Sequence, residues 1–179
     1  VCKSLDYRDK RFRTSIHIEA NGVSLVIDTG PDFRMQMLRS GINKLDAIVF
    51  THEHKDHIAG LDDVRSFNYK QNRPMDVYCN SAVEKALKRE FYYIFENANY
   101  PGVPKITLNH ITKDRFQLNN GTSVQPIEVL HYKMPVFGFR FGDFTYITDA
   151  KTISEEEIAT LDLVIDDKHF CCAGCKGVY

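Results

Sequence analysis

Leu45-Asp46-Ala47-Ile48-Val49-Phe50-Thr51-His52-Glu53-His54-Lys55-Asp56-His57 decides how this chain is read. An apolar run of strand character, Leu45 to Phe50, delivers the pattern HxHxDH, and Ile58-Ala59-Gly60-Leu61 then opens a helix. Three imidazoles and a carboxylate within one short loop are hard to explain except by metal. Neutral imidazole and carboxylate suit Zn2+, Mn2+ or Fe, and a set without thiolate points to a catalytic site rather than a closed structural one. The spacing favours two ions over one. His52 and His54 occupy same-side positions of an extended segment and reach one ion, while Asp56 and His57 turn the other way and reach a second.

Working outward, strands come first. Thr14 to Ala20 alternates, Asn21-Gly22 supplies the positive φ of a tight hairpin turn, and Val23 to Ile27 returns. Asp28-Thr29-Gly30-Pro31 breaks that strand. A helix is expected from Asp32 to Leu38, ended by Gly41. Met75 to Cys79 is a further short strand. Ser81-Ala82-Val83-Glu84 has the form of a capping box and opens the longest helix, to about Glu96.

After Pro104 the strands resume at Lys105 to Asn109, Phe116 to Leu118, Ser123 to Leu130, Val136 to Phe141 and Phe144 to Ile147, with turns at Asn120-Gly121 and Gly142-Asp143. Ser154-Glu155-Glu156-Glu157 caps a short helix, and Leu161 to Ile165 is a last strand. Strands in two batches, each followed by helices, predict an α+β fold of two sheets packed face to face with helices outside.

Ligands gather where strands end. His131 closes the strand to Leu130, Asp149 closes Phe144 to Thr148, and Asp28 closes Val23 to Ile27. A metal pair still short of ligands selects His131 and Asp149. Asp28 is expected behind them, orienting an imidazole or the histidine loop. Lys55 reads as a solvated loop lysine, and His17 and His110, within strand-like stretches, as structural.

Composition sets the outer bounds. A chain of 179 residues that is 43% hydrophobic and 12% aromatic fits one domain with a sizeable core. A net charge of −1 provides no broad basic field for a nucleic-acid backbone, so nucleic acid is a disfavoured partner. No run of ~18 apolar residues offers a membrane span and no signal peptide is evident, which makes cytoplasmic location the expectation. The five cysteines, Cys2, Cys79, Cys171, Cys172 and Cys175, are odd in number and clustered at the ends, unlike a disulfide framework. Cys172-Ala173-Gly174-Cys175 is a lone CxxC and is read as incidental.

The combination of HxHxDH at His52 to His57, the upstream Asp28-Thr29-Gly30, Leu130-His131-Tyr132 and Tyr146-Ile147-Thr148-Asp149-Ala150 resembles the metallo-β-lactamase superfamily of metallohydrolases over roughly residues 1 to 165. Arg8-Asp9-Lys10-Arg11, Gly60-Leu61-Asp62-Asp63-Val64-Arg65 and Pro135-Val136-Phe137-Gly138-Phe139 are similar to the branch that contains the phosphoribosyl 1,2-cyclic phosphate phosphodiesterase of phosphonate degradation, whose relatives include tRNA-processing nucleases. The resemblance implies the αββα sandwich, the metallo-β-lactamase fold, with two packed mixed sheets. It implies that His52, His54 and His131 hold one ion, that Asp56 and His57 hold the other, and that Asp149 bridges both. The cofactors implied are two divalent ions, Zn2+ or Mn2+.

The activity implied is phosphodiester hydrolysis by a hydroxide between the two ions, on a small cyclic or nucleotide-like phosphate ester, with Asp56 and Asp149 orienting or deprotonating the nucleophile. Alternatives are another hydrolase of the same fold, acting on a thioester, a lactone or an RNA end, and an inactive metal-binding fragment. The oligomeric state is open: relatives in the branch are often dimers, which makes a homodimer one option. The family also has a structural zinc site, of which Cys2 resembles the last cysteine, and a final His ligand in a Ser-His segment. Here Lys168-His169-Phe170-Cys171-Cys172 stands instead, and His169 follows the last strand too closely to substitute. The expectation is a chain incomplete at both ends.

Overall fold

The computed structural model describes residues 5–6, 12–96, 102–159 and the backbone of 163–166. Cys2, His169, Cys171, Cys172 and Cys175 lie outside them. Two five-stranded sheets make up the framework. In the first, β1 (Ile16–Ala20) pairs antiparallel with β2 (Val23–Ile27), and β3 (Ala47–Val49), β4 (Met75–Cys79) and β5 (Ile106–His110) follow in parallel. In the second, β6 (Phe116–Gln117), β7 (Ser123–His131), β8 (Met134–Phe141) and β9 (Phe144–Ile147) form an antiparallel meander, and β10 (Leu163–Asp166) adds in parallel to β9. Both sheets are mixed, as expected.

Alternation along the strands divides the core into layers. Leu25, Ile27, Ala47 and Val49 face Val124, Phe139 and Tyr146 across the sandwich. Their neighbours Val26 and Ile48, with Val77, face the other way, onto the helices. All residues of β2 and β3 are buried, which is why β3 reads as a continuous apolar run and β2 as one broken only by Ser24, whose hydroxyl donates to the Lys44 carbonyl.

The helices are α1 (Phe33–Ser40), α2 (Lys55–Ile58), α3 (Arg65–Gln71), α4 (Ser81–Glu90), α5 (Tyr92–Glu96) and α6 (Glu155–Ile158), with a 3-10 turn at Leu61–Val64. Gly41 ends α1 in the left-handed region at φ 65°. Its N–H donates to the Leu38 carbonyl and that of Ile42 to the Met37 carbonyl, the paired bonds of a Schellman end.

Several sequence expectations are corrected. Asn80, not Ser81, caps α4: its side-chain oxygen accepts from the Val83 N–H at 3.0 Å, so the cap lies one residue earlier. The long helix also does not run unbroken to Glu96. Phe91 leaves helical geometry (φ −120°, ψ 39°) and buries its ring in the helix-side core, and α5 starts afresh. Helix α3 was not expected. The strand expected at Val136 begins at Met134, because Tyr132 and Lys133 form a two-residue turn that leaves His131 paired with Met134.

Candidate metal centre

The ends of β2, β3, β7 and β9 meet at one rim. Three residues other than glycine hold positive φ there, Asp28 at 63°, Tyr132 at 60° and Asp149 at 54°. Such geometry is uncommon outside glycine and clusters at functional sites.

The histidine loop is locked from behind by two glycines. The Thr29 N–H donates to the His57 carbonyl at 2.8 Å and the Gly60 N–H to the Thr29 carbonyl at 2.7 Å. A Cβ on Gly60 would come within 2.2 Å of the Gly30 carbonyl oxygen, and a Cβ on Gly30 within 2.3 Å of the Asp56 carbonyl oxygen. Backbone meets backbone at both points, so only glycine fits.

Within this frame the predicted residues converge. His52 and His57 are buried, His131 and Asp149 are half-buried, and His54 and Asp56 are exposed at the mouth. One donor atom each from His52, His54 and Asp149 lies within 4.8 Å of the others. Asp149 Oδ2 is 3.4 Å from His52 Nε2 and 3.0 Å from His57 Nε2, and Asp56 Oδ2 is 3.8 Å from His57 Nε2. The His131 ring stands 5.3 Å from that of His54 and 5.9 Å from that of His52.

One detail departs from the reading of the loop. His57 does not turn away from His52. Helix α2 begins at Lys55 and swings His57 back, so the two rings lie 4.1 Å apart and share the same carboxylate oxygen.

Behind the imidazoles, Asp28 fixes where the protons sit. It is fully buried, and its Oδ1 accepts from the Thr51 N–H at 2.9 Å. Its Oδ2 accepts from the Thr51 hydroxyl at 2.7 Å and from His57 Nδ1 at 2.7 Å. With its proton given to Asp28, the Thr51 hydroxyl can only accept from His52 Nδ1, 2.9 Å away. Both imidazoles therefore carry a proton on Nδ1 and aim Nε2 at Asp149. Thr51 was not assigned a role from the sequence; a hydroxyl directly before the first histidine, where an apolar strand ends, is the signal that could have marked it.

The electrostatics follow. Burial pushes His52 down to about 4, helped by the neighbouring His57 charge, so its Nε2 is a bare lone pair. For His57 burial acts the same way, but the charge of Asp28 and the hydrogen bonds to Asp149 and Asp28 outweigh it and raise the group to about 10. The His57 hydrogen bond in turn holds Asp149 down at about 2.

This donor set fits a cation on a direct observation. His52 Nε2 is buried without a hydrogen-bond partner, and the atom it faces, Asp149 Oδ2, is another acceptor. Two acceptors turned toward each other at 3.4 Å are unfavourable unless positive charge lies between them. His52, His54 and Asp149 would hold one ion, with His131 beside them. His57 and Asp56 would hold a second once the His57 Nε2 proton is displaced, with Asp149 in reach of both.

Other candidates lie elsewhere. Lys55, exposed, pairs with Glu90 rather than standing free. His17 Nε2 lies 2.8 Å from the Ser24 hydroxyl, and His110 lies near Glu84.

Comparison with known proteins agrees with this geometry. The beta-lactamase superfamily domain matches residues 24–169. An octanoyltransferase of Porphyromonas gingivalis is 40% identical over 163 residues, covering 90% of this chain but 32% of that protein. A ribonuclease Z of Staphylococcus epidermidis is 32% identical over 120 residues, covering 64% of this chain and 38% of that protein. The chain thus spans about a third of the length of the curated relatives it matches.

Among solved structures, a diphosphatase from the PhnP family superposes with a TM-score of 0.79 at 36% identity, over 91% of this chain and 63% of the other. Zn2+-bound PqqB from Methylobacterium extorquens, at 19% identity and a TM-score of 0.65, shares the fold. Two mixed sheets, the HxHxDH loop between them and the match over residues 24–169 lead to one assignment: the chain belongs to the beta-lactamase superfamily.

Proposed function

We propose that the protein is a dinuclear metallohydrolase that cleaves a phosphodiester bond in a small cyclic or nucleotide-like phosphate ester, in the cytoplasm. The observation that carries this is the wiring of His52 and His57, each with its proton held on Nδ1 and its Nε2 aimed at one oxygen of Asp149. Two divalent ions, zinc or manganese, would supply a nucleophilic water at neutral pH and offset charge on the phosphoryl oxygens.

The chain's own residues divide the remaining work. Asp28 and Thr51 hold both imidazoles in the ligating tautomer. Asp149, kept ionised, is a weak proton acceptor and a firm orienting charge. Asp56, with a side chain 56% exposed, faces the mouth and takes the proton of the attacking water. The diphosphatase of the PhnP family and the ribonuclease Z relative, both named for cleavage at phosphorus, support the phosphorus-centred reading.

The test uses the full-length protein loaded with zinc or manganese, assayed on bis(p-nitrophenyl) phosphate and, in parallel, on an acyl thioester and a lactone. Turnover of the phosphodiester, lost in His54→Ala, is the expected result. Turnover of the thioester or lactone alone would replace the reading with an acyl hydrolase, the direction in which the name of the octanoyltransferase relative leans.

A further inference from the structure

The dipeptide Asn-Gly occurs at Asn21-Gly22, the turn between β1 and β2, and at Asn120-Gly121, in the turn between β6 and β7. The two turns meet where Asn120 Nδ2 donates to the Asn21 carbonyl at 3.4 Å. All four residues are exposed, yet the two pairs are held differently.

At Asn120-Gly121 the reacting groups are engaged. Asn120 Nδ2 donates to the Thr122 hydroxyl at 2.8 Å, and its Oδ1 accepts from the Thr122 N–H at 3.0 Å. The Gly121 N–H donates to the Leu118 carbonyl at 2.8 Å. At Asn21-Gly22, neither the carboxamide nor the Gly22 N–H has a hydrogen-bond partner among the described residues. Nothing stands within 4 Å of where a Cβ on Gly22 would lie.

The surroundings also favour loss of the Gly22 amide proton. Charge left by that proton spreads onto the Asn21 carbonyl, which already accepts from Asn120. Lys44 Nζ, 3.3 Å from the Gly22 carbonyl, places a cation beside it. Asn21 has to leave its left-handed conformation (φ 51°) for the nitrogen to reach its side chain. Strand β1 is a sheet edge paired with β2, so that opening is local.

We propose that Asn21 is a site of spontaneous modification, converting to aspartate and isoaspartate, while Asn120 is protected. The Gly22 nitrogen gives its proton to hydroxide and attacks Asn21 Cγ. The N–Cγ bond forms, the Cγ–Nδ2 bond breaks, and ammonia leaves with a proton taken from water. Water then opens the cyclic imide at one carbonyl to give aspartate and at the other to give isoaspartate. An isoaspartyl link adds a methylene to the backbone of a two-residue turn and loosens the pairing of Ala20 with Val23. The turn lies at the other end of β2 from Asp28, about 20 Å away along the strand, so the change bears on stability and leaves the candidate metal ligands in place.

Full-length protein aged in mildly alkaline buffer is followed by tryptic mass spectrometry. Isoaspartate is read with an isoaspartyl-specific carboxyl methyltransferase and labelled S-adenosylmethionine. Asn21 is expected to convert about tenfold faster than Asn120 or more, because Asn120-Gly121 must first break its hydrogen bonds. In urea, where neither turn persists, the two rates should converge. Equal rates in the native protein, or a faster Asn120, would overturn the proposal. Thr122→Val removes the hydroxyl that holds Asn120 Nδ2 and should speed conversion at Asn120 several-fold. An unchanged Asn120 rate in that folded variant would show that these bonds are not the protection and would overturn the contrast.

Discussion

A single buried carboxylate sets the protonation of the candidate centre. Asp28 accepts three hydrogen bonds, two of which fix the tautomers of His52 and His57, directly or through Thr51. In the metal-free protein the same carboxylate, with Asp149, raises His57 to about 10 from an unfolded value near 6.5. A group whose folded pKa is raised contributes stability that is fully present below the unfolded value and is lost as pH rises through the folded one. The metal-free protein should therefore lose stability as pH rises from about 6.5 toward about 10. Urea midpoints measured in chelator across that range check this, with Asp28→Asn as the comparison. The variant should show a shallower decline, and identical slopes would mean that His57 is not charged in the folded state. Sequence reading placed Asp28 behind the ligands, but a hydrogen-bonded chain through Thr51 needs three-dimensional contacts between residues 23 apart.

At the scale of elements, what could be read depended on whether the signal was local. The hairpin at Asn21-Gly22 and the Gly41 helix end are dictated by backbone conformations that few residues adopt, and both are where the sequence put them. The start of α4 shows the opposite case. Ser81 and Glu84 have the spacing of a capping box, yet Asn80 one residue earlier is an equally good cap, and the chain entering from β4 places Asn80 in the extended conformation a cap requires. Asn80→Ala should cost about 1 kcal/mol, whereas Ser81→Ala, an exposed first-turn substitution, should stay within about 0.5 kcal/mol. Thermal or urea unfolding of the two variants distinguishes them, and a larger loss in Ser81→Ala would restore the capping box. The break at Phe91 was hidden for another reason. Residues 81–90 are mostly good helix formers and neither Gly nor Pro marks a stop before Glu96; the aromatic and β-branched run from Phe91 to Phe95 is weaker, and the interruption comes where Phe91 turns inward to the helix-side core.

Across the whole molecule, the candidate ligands come from both sheets. His52, His54, Asp56 and His57 follow β3 of the first sheet, whereas His131 ends β7 and Asp149 follows β9 of the second. Among the links between these layers is the Phe137 N–H donating to the Thr51 carbonyl at 3.1 Å, immediately behind the site. A cation held by His52, His54 and Asp149 would tie the two layers together at this rim, and its binding energy would add directly to the stability of the sandwich. Binding that favours only the folded state stabilises by about 2.7 kcal/mol at a hundredfold excess over the dissociation constant. For a domain of 150–250 residues that corresponds to a rise of roughly 5–10 °C in Tm. The expected result is such a rise on adding zinc or manganese to chelator-treated full-length protein. It should be largely lost in Asp149→Asn, which removes the charge between the histidines, and kept in His110→Ala, whose half-exposed imidazole lies two strands away from β3, beside Glu84. An equal rise in both variants would mean that the metal binds away from this rim. Because Asp149→Asn alters one side of the cluster without opening the core, the comparison reads whether the two sheets are joined through that carboxylate.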